Sequence, residues 1–161
     1  KKIKVYMDRG EIGPAELITE VILHHLAENC PDGFILDGFP RTLYQAEKLS
    51  EQHRIDAALF FDVSEKEITS RITGRRICRN CNSIFHIKTN PPKTADRCDT
   101  CGSQLYHRPD DNEETVVNRI RVYNNETRPV LDFYRNAGLL RAINGERDTE
   151  TIFTDIVGLL R

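Results

Sequence analysis

No run of the 161 residues approaches the ~20 consecutive apolar positions that a bilayer-spanning helix needs, so a membrane protein of that kind is not expected. Neither sign of charge dominates: 23 Lys and Arg stand against 25 Asp and Glu, a formal net charge of -2. With pI near 6.2 the chain is not the basic protein that general nucleic-acid binding calls for. No secretory leader is visible, because the chain starts Lys-Lys-Ile-Lys and continues with polar residues. Internal repeats and low-complexity tracts are absent as well. A cytoplasmic protein with no membrane or nucleic-acid partner is expected, and a monomer.

What is present supports one domain with room for an insert. Hydrophobic residues make up 39% of the chain, enough to bury a core. Cysteine is the informative residue. Four of the five form two pairs, Cys78-x-x-Cys81 and Cys98-x-x-Cys101, separated by sixteen residues, and Cys30 is isolated. An odd count without an export signal fits a reducing compartment, where such pairs bind metal rather than form disulfides. The spacing is that of a two-knuckle zinc clip. Four thiolates complete a tetrahedron, so His86 and His107 are read as non-ligands and the ion as structural. A metal staples a lobe of ~35 residues that buries little core of its own. Cys30 reads as a small buried apolar residue.

The pattern alternates strands and helices. Residues 1–10 read as a helix tail stopped by Gly10, and Pro14 suits the first turn of a helix reaching about residue 29. Its expected apolar stripe is Leu17, Ile18, Val21, Ile22 and Leu26. After a turn at Cys30–Gly33, Phe34-Ile35-Leu36 reads as a buried parallel strand ending in Asp37. Thr42 caps a helix to about His53, and Ala58–Val63 is a second buried strand. Ser64 and Glu67 form a capping box for a helix ending near Gly74. A long helix from about Asn112 is expected to kink at Pro129 and stop at Gly138. Leu139–Ile143 is a third strand, and Asp148 or Thr149 caps a last helix. This predicts an α/β fold, a mostly parallel sheet with helices on both faces. Residues 1–74 and 110–161 form the discontinuous core, and 75–109 form the zinc-binding lid. Ligands of such sheets bind at the carboxyl ends of the strands, where Asp37-Gly38, Asp62 and Asn144-Gly145 lie.

Several residues carry chemistry in their own right. Asp37, at a strand end, suits an acid that holds a hydrated Mg²⁺ on nucleotide phosphates, or one that merely caps the next loop. Arg41 follows Pro40 on a stiffened loop and presents a planar fork to phosphate, or to solvent. Gln45, one turn later, has an amide able to donate and accept at a base edge, or simply a solvated side chain. Arg71 and Arg75 share a helix face at its C-terminal end, where the helix dipole alone favours cations. Arg108 and Arg119 flank the return from the insert and are placed to neutralise a moving phosphoryl group. Asp110 and Asp111 between them either orient those arginines or open the long helix.

The segment Gly33–Gln45, with Asp37-Gly38-Phe39-Pro40-Arg41 and a downstream Gln, resembles the adenylate kinase signature. The likeness continues through Gly74-Arg75-Arg76, the four-cysteine lid, Asn90-Pro91-Pro92-Lys93, and Arg108 with the acids after it, covering essentially the whole chain. It is the long, zinc-lid form of the family that is resembled. The resemblance implies reversible transfer of the γ-phosphoryl group of Mg-ATP to AMP, giving two ADP. It implies that Gly38, Phe39, Pro40, Arg41 and Gln45 contact AMP, with Arg41 on its phosphate and Gln45 on adenine. Backbone groups of Glu11, Ile12 and Gly13 would hold the AMP base; many relatives carry Val at the last position, and Gly13 weakens that apolar wall. Arg75 falls on the ATP phosphates, Arg71 beside the adenine, and Arg108 and Arg119 around the transferred group and AMP. Ile84 and Phe85 fall against the ATP base or ribose, although Phe85 suits a lid core equally. Arg147 lies in a loop that touches the ATP adenine mostly through backbone. Arginines and Mg²⁺ would stabilise charge, and lid closure would align donor and acceptor.

One family element is missing from these residues: no G-x-x-x-x-G-K-[ST] occurs. From the order of motifs, an N-terminally truncated piece that starts after the family's first two strands is expected. The P-loop strand lies mid-sheet in that fold, so its loss would unpair backbone on both neighbours at about 1–3 kcal/mol per group. Poor folding of the piece alone is expected, with the zinc lobe staying ordered. Two competing readings are a zinc-ribbon module binding nucleic acid or protein, supported by the cysteines alone, and a kinase for another nucleoside monophosphate, which Gln45 opposes. The truncated reading expects negligible ATP formation from ADP by these 161 residues; turnover in the ordinary enzymatic range of about 1–1,000 s⁻¹ would overturn it.

Overall fold

The computed structural model describes residues 15–160. The expected contributions of residues 1–10 and of Glu11, Ile12, Gly13 and Pro14 therefore lie outside the described residues. The chain divides into two compact units, one of residues 1–62 and 121–161 and one of residues 63–120.

In the first unit, helix α1 (Ala15–Asn29) buries Leu23 and Leu26 against Leu49 and Phe39, with Ile18 and Ile22 packed beside them. The buried stripe is rotated from the expected one: Val21 is 56% exposed, whereas Thr19 is buried. Thr19 is tolerated inside because its hydroxyl donates to the Ala15 carbonyl at 2.6 Å. Helix α2 (Leu43–Gln52) starts at Thr42, whose hydroxyl accepts from the Gln45 amide at 3.3 Å. It buries Gln45, Ala46 and Leu49.

Strand β1 (Ala58–Asp62) pairs in parallel with the later strand Leu140–Asn144, from Ala58 opposite Leu140 to Asp62 opposite Asn144. It is half-buried rather than buried, and Phe61 is exposed. The segment Phe34–Leu36 differs from expectation more sharply. It is extended, but it pairs with no strand among the described residues, and Ile35 is 98% exposed. An apolar run becomes a strand only where a neighbour takes its N–H and C=O groups; without one, Phe34 and Leu36 pack on the helical core and Ile35 points to solvent.

The second unit begins at helix α3 (Glu65–Thr73), capped by Ser64, which accepts from the Glu67 amide at 3.4 Å. Three short antiparallel strands follow: β2 (Arg75–Cys78) at the centre, with β3 (Ile84–His86) and β4 (Leu105–Tyr106) on either side. The junction between helix and sheet is built around His86. Its Nδ1 accepts from the Lys88 and Thr89 amides, both at 3.1 Å, which leaves the proton on Nε2 to donate to the Ser70 carbonyl at 3.0 Å. The ring lies so close to Gly74 that a Cβ there would meet Nε2 at 2.0 Å. Only glycine permits that approach.

A 3-10 turn (Pro109–Asp111) leads into helix α4 (Glu113–Val122). Tyr123–Thr127 is a π-helical turn, and helix α5 (Arg128–Asn136) follows in the first unit. The disturbance expected at Pro129 therefore takes the form of a widened turn just before it. Proline has no N–H to give and its ring crowds the preceding turn. In α5, Val130 and Tyr134 pack with Ala46 of α2. The helix ends as predicted at Gly138 (φ +73°), whose amide donates to Arg135 while the Leu139 amide reaches back to Tyr134. Because Leu139 completes that cap, strand β5 starts one residue later than expected, at Leu140. Helix α6 (Thr149–Leu159) is capped by Asp148, which accepts from the Thr151 amide at 2.9 Å and its hydroxyl at 2.6 Å.

Candidate functional site

The second unit holds a cluster of three arginines on two aspartates. Arg75 opens β2 and does not share the helix face of Arg71, because α3 ends at Thr73 with Gly74 as its cap; Arg108 precedes the 3-10 turn, and Arg119 lies on α4. Asp111 is fully buried and takes Arg75 in a two-pronged pair, Nε to Oδ2 at 2.9 Å and Nη2 to Oδ1 at 2.5 Å. Asp110 is shared: Arg108 donates Nε at 2.9 Å and Nη2 at 2.6 Å, and Arg119 donates Nη2 at 2.5 Å. Three cations against two anions leave the cluster one positive charge in excess.

The local chain explains the split. In Arg108-Pro109-Asp110-Asp111 the 3-10 turn sends consecutive side chains in different directions, Asp110 to Arg108 and Arg119 and Asp111 inward. Burial pushes the Asp110 carboxyl up, but hydrogen bonds from Arg108 and Arg119 outweigh it and hold the group below the usual carboxylate range. The Asp111 hydrogen bond raises Arg75 further above its already high value. Sequence alone placed the arginines in one region; it did not assign one aspartate to each partner, for which the paired acids were the available signal.

The four cysteines of the same unit lie together, their sulfurs all within 4.8 Å of one another. Cys78 and Cys101 are 3.4 Å apart, and Cys81 stands 3.5 Å from Cys98. Those separations are far from the ~2.05 Å of a disulfide and near the about 3.8 Å edge of a tetrahedron with ~2.3 Å metal–sulfur arms. Two knuckles of the same build bring them there. In each, the first cysteine carbonyl accepts from the residue after the second cysteine, Asn82 or Gly102. Both of those residues have positive φ, 58° and 71°. The first cysteine amide then donates to Ser83 or Ser103.

The thiols differ electrostatically. A hydrogen bond from Ser103 lowers Cys101 to about 5. The Cys81 backbone pulls Cys78 down, but burial and the neighbouring thiols Cys101 and Cys81 push it to about 11. Burial raises Cys98, and the Cys101 and Thr100 amides bring it lower again. Four thiolates cannot crowd together uncompensated, and a bound cation resolves that conflict by deprotonating all of them. His86 and His107 are not in the cluster. The donor set therefore fits one metal ion.

The remaining predicted residues of this unit are placed as follows. Arg71 is exposed and pairs along its helix with Glu67 at 2.7 Å. Ile84 is 61% exposed on β3, whereas Phe85 is buried with Cys78, Cys98 and Leu105 in the small core. An open groove beside α3 and α4, lined by Glu65, Lys66, Thr69, Glu113, Val117 and Ile120, contains none of the predicted site residues.

In the first unit, Asp37 is exposed in the loop before Gly38. Gly38 has φ +76°, Phe39 is buried, and the Phe39–Pro40 bond is cis. Arg41 emerges from this loop with its Nε on the Gly38 carbonyl at 2.7 Å. Gln45 is 1% exposed and its Oε1 accepts from the Arg41 amide at 2.7 Å. Its side chain thus gives one acceptor site to the loop. The Thr127 hydroxyl donates to the Arg41 carbonyl at 2.8 Å, a link that no sequence feature signalled. Arg147, after β5, is paired with Asp155 of α6.

Comparison with known proteins points to one family. The family model described as adenylate kinase matches residues 1–139. A protein of Archaeoglobus fulgidus named adenylate kinase is 46% identical over 166 residues, covering 99% of this chain and 76% of that protein. One from Geobacillus sp. (strain WCH70), with the same name, is 47% identical over 163 residues, covering 98% and 76%. A third, from Desulfitobacterium hafniense, is 44% identical over 162 residues, covering 97% and 75%.

The thiol cluster generates a direct expectation. Elemental analysis of the purified chain finds one metal equivalent, and a strong chelator removes it together with the ordered structure of residues 75–106. Full retention of that structure in metal-free protein, or no bound metal at any stage, would contradict a stapling role.

Proposed function

The chain belongs to the adenylate kinase family, and from that premise we propose that its arginines carry phosphoryl transfer between ATP and AMP as a charge-neutralising frame. The family reaction is transfer of the ATP γ-phosphoryl group to AMP, with Mg²⁺ accompanying ATP. Phosphoryl transfer needs little covalent help; it needs positioning and compensation of charge on the equatorial oxygens.

The observation that carries the proposal is the shared carboxylate. Asp110 holds Arg108 and Arg119 side by side, and with the Arg75–Asp111 pair the cluster keeps net positive charge for an anionic ligand. Arg75 acts on the ATP phosphates; Arg108 and Arg119 act on the transferred group and on AMP. Guanidinium groups already fixed in place reorganise little during the reaction, which is where electrostatic catalysis gains most. Arg71 and Ile84 flank the ATP base from exposed positions, and Arg147 belongs to the same nucleotide. Phe85 supports that surface from the core beneath it.

In the other unit, Gly38, Phe39, Pro40 and Arg41 receive the AMP phosphate, and the NH₂ group of Gln45 reads adenine. Backbone groups of Glu11, Ile12 and Gly13 complete the base site. Asp37, an exposed carboxylate beside this loop, suits outer contact with the hydrated Mg²⁺ that ATP brings, since a single hard oxygen donor fits an ion that keeps its waters.

The metal of the cysteine cluster is zinc, which the all-sulfur, four-coordinate donor set favours. It leaves no open position and so serves structure. The domain division follows: residues 75–109 act as the zinc-bound lid, and 1–74 with 110–161 as the core. The balanced charge supports a protein working on nucleotides rather than nucleic acid, and we take the protein to work as a cytoplasmic monomer.

The test is Arg119→Lys in the protein that carries these residues. It keeps the charge but loses the planar fork, and kcat falls on the order of 10²–10³-fold with ATP affinity little changed. A kcat within threefold of the parent would remove Arg119 from the reaction.

A further inference from the structure

Threonine hydroxyls in helices ordinarily bond back to the carbonyl four residues earlier. Thr19, Thr69, Thr73 and Thr154 all do so here. Thr127 does not. Its hydroxyl reaches across 86 positions to the Arg41 carbonyl at 2.8 Å. The carbonyl four residues before it, that of Tyr123, instead receives the amide of Arg128 in the π-helical turn. The wider turn thus changes the position of Thr127 and leaves its hydroxyl for another partner.

Arg41 is held at both ends of its backbone as a result. Its amide donates to Oε1 of the buried Gln45 at 2.7 Å, and its carbonyl accepts from Thr127. Both anchoring side chains come from helical elements, α2 and the π turn, rather than from the loop itself. Along its side chain, Nε is turned back on the Gly38 carbonyl at 2.7 Å. A loop arginine fixed at amide, carbonyl and Nε is poised in one place, and displacing a phosphate-binding group by about 1 Å is costly to function.

We propose that Thr127 is a positioning residue for the AMP phosphate, acting through the backbone of Arg41, and that the π-helical turn before Pro129 exists to deliver its hydroxyl. The inference rests on the reading of Arg41 as the AMP phosphate ligand. It adds the element that sets where that ligand stands and makes Gln45 an anchor of the loop as well as a neighbour of the base.

The experiment measures AMP and ATP dissociation constants by calorimetry in the protein carrying these residues, for the parent and for Thr127→Val, Thr127→Ser and Arg41→Gln. Valine keeps the branched shape and removes the hydroxyl; serine keeps the hydroxyl. Thr127→Val is expected to weaken AMP about three- to tenfold, the scale of one lost hydrogen bond, and to change ATP by less than about twofold. Thr127→Ser is expected to stay within about twofold of the parent for both nucleotides. If Arg41→Gln weakens AMP strongly while Thr127→Val does not, the positioning role is wrong and the reading of Arg41 survives. Equal weakening of AMP and ATP by Thr127→Val, or failure of serine to restore AMP binding, makes Thr127 merely structural and overturns the proposal. If Arg41→Gln leaves AMP affinity unchanged, or the parent binds no AMP, the underlying assignment of Arg41 falls and the inference with it.

Discussion

A carboxylate with no access to water sets the geometry of the arginine-bearing unit. Asp111 is completely buried, and among the described residues its carboxylate is compensated by the planar fork of Arg75, about a quarter of which stays exposed. An ion left unpaired in such a place costs several kcal/mol, so the first residue of β2 and the turn before α4 are bound to each other. Asp110, one residue earlier, then has its own place fixed and gathers Arg108 and Arg119. A single pair thereby sets three guanidinium groups. Exposed ion pairs such as Lys48–Glu51 and Arg54–Asp56 have no comparable consequence, because water replaces them at little cost.

The same unit solves a second problem, that of staying folded with almost no interior. Its buried cluster among the described residues is Cys78, Phe85, Cys98 and Leu105, and two of those four are metal-ligand candidates. Strands of two to four residues cannot hold themselves together by hydrophobic burial. Four sulfur bonds to one ion would supply what the side chains do not, and the His86 clamp at Gly74 ties the sheet to the end of α3.

Much of this was legible in the residues. The cysteine spacing announced the cluster, the capping residues Thr42, Ser64 and Asp148 marked helix starts, and Gly138 marked a helix stop, because each rests on local chemistry. Readings that depend on partners elsewhere in the chain fared less well. Phe34-Ile35-Leu36 has the composition of a buried strand, yet strand formation requires a neighbour's hydrogen bonds, and composition does not report one. In α1, Ile18, Ile22 and Leu26 of the expected stripe face the core, but Leu17 and Val21 are exposed and Leu23 and Thr19 are buried, the latter with its hydroxyl bonded to its own helix. The division of labour between Asp110 and Asp111, and the reach of Thr127 to Arg41, are tertiary facts with no periodic trace.

The central claim is that Arg75 and Asp111 stabilise the unit only as a pair. A double-mutant cycle on unfolding free energy with Arg75→Ala, Asp111→Ala and the double variant tests it most directly. The account predicts a loss of about 3–5 kcal/mol for Arg75→Ala, which strands the buried carboxylate, and a smaller loss for the double variant than for that single one. Losses below about 1 kcal/mol that simply add would show the two side chains to be energetically independent and would contradict the account.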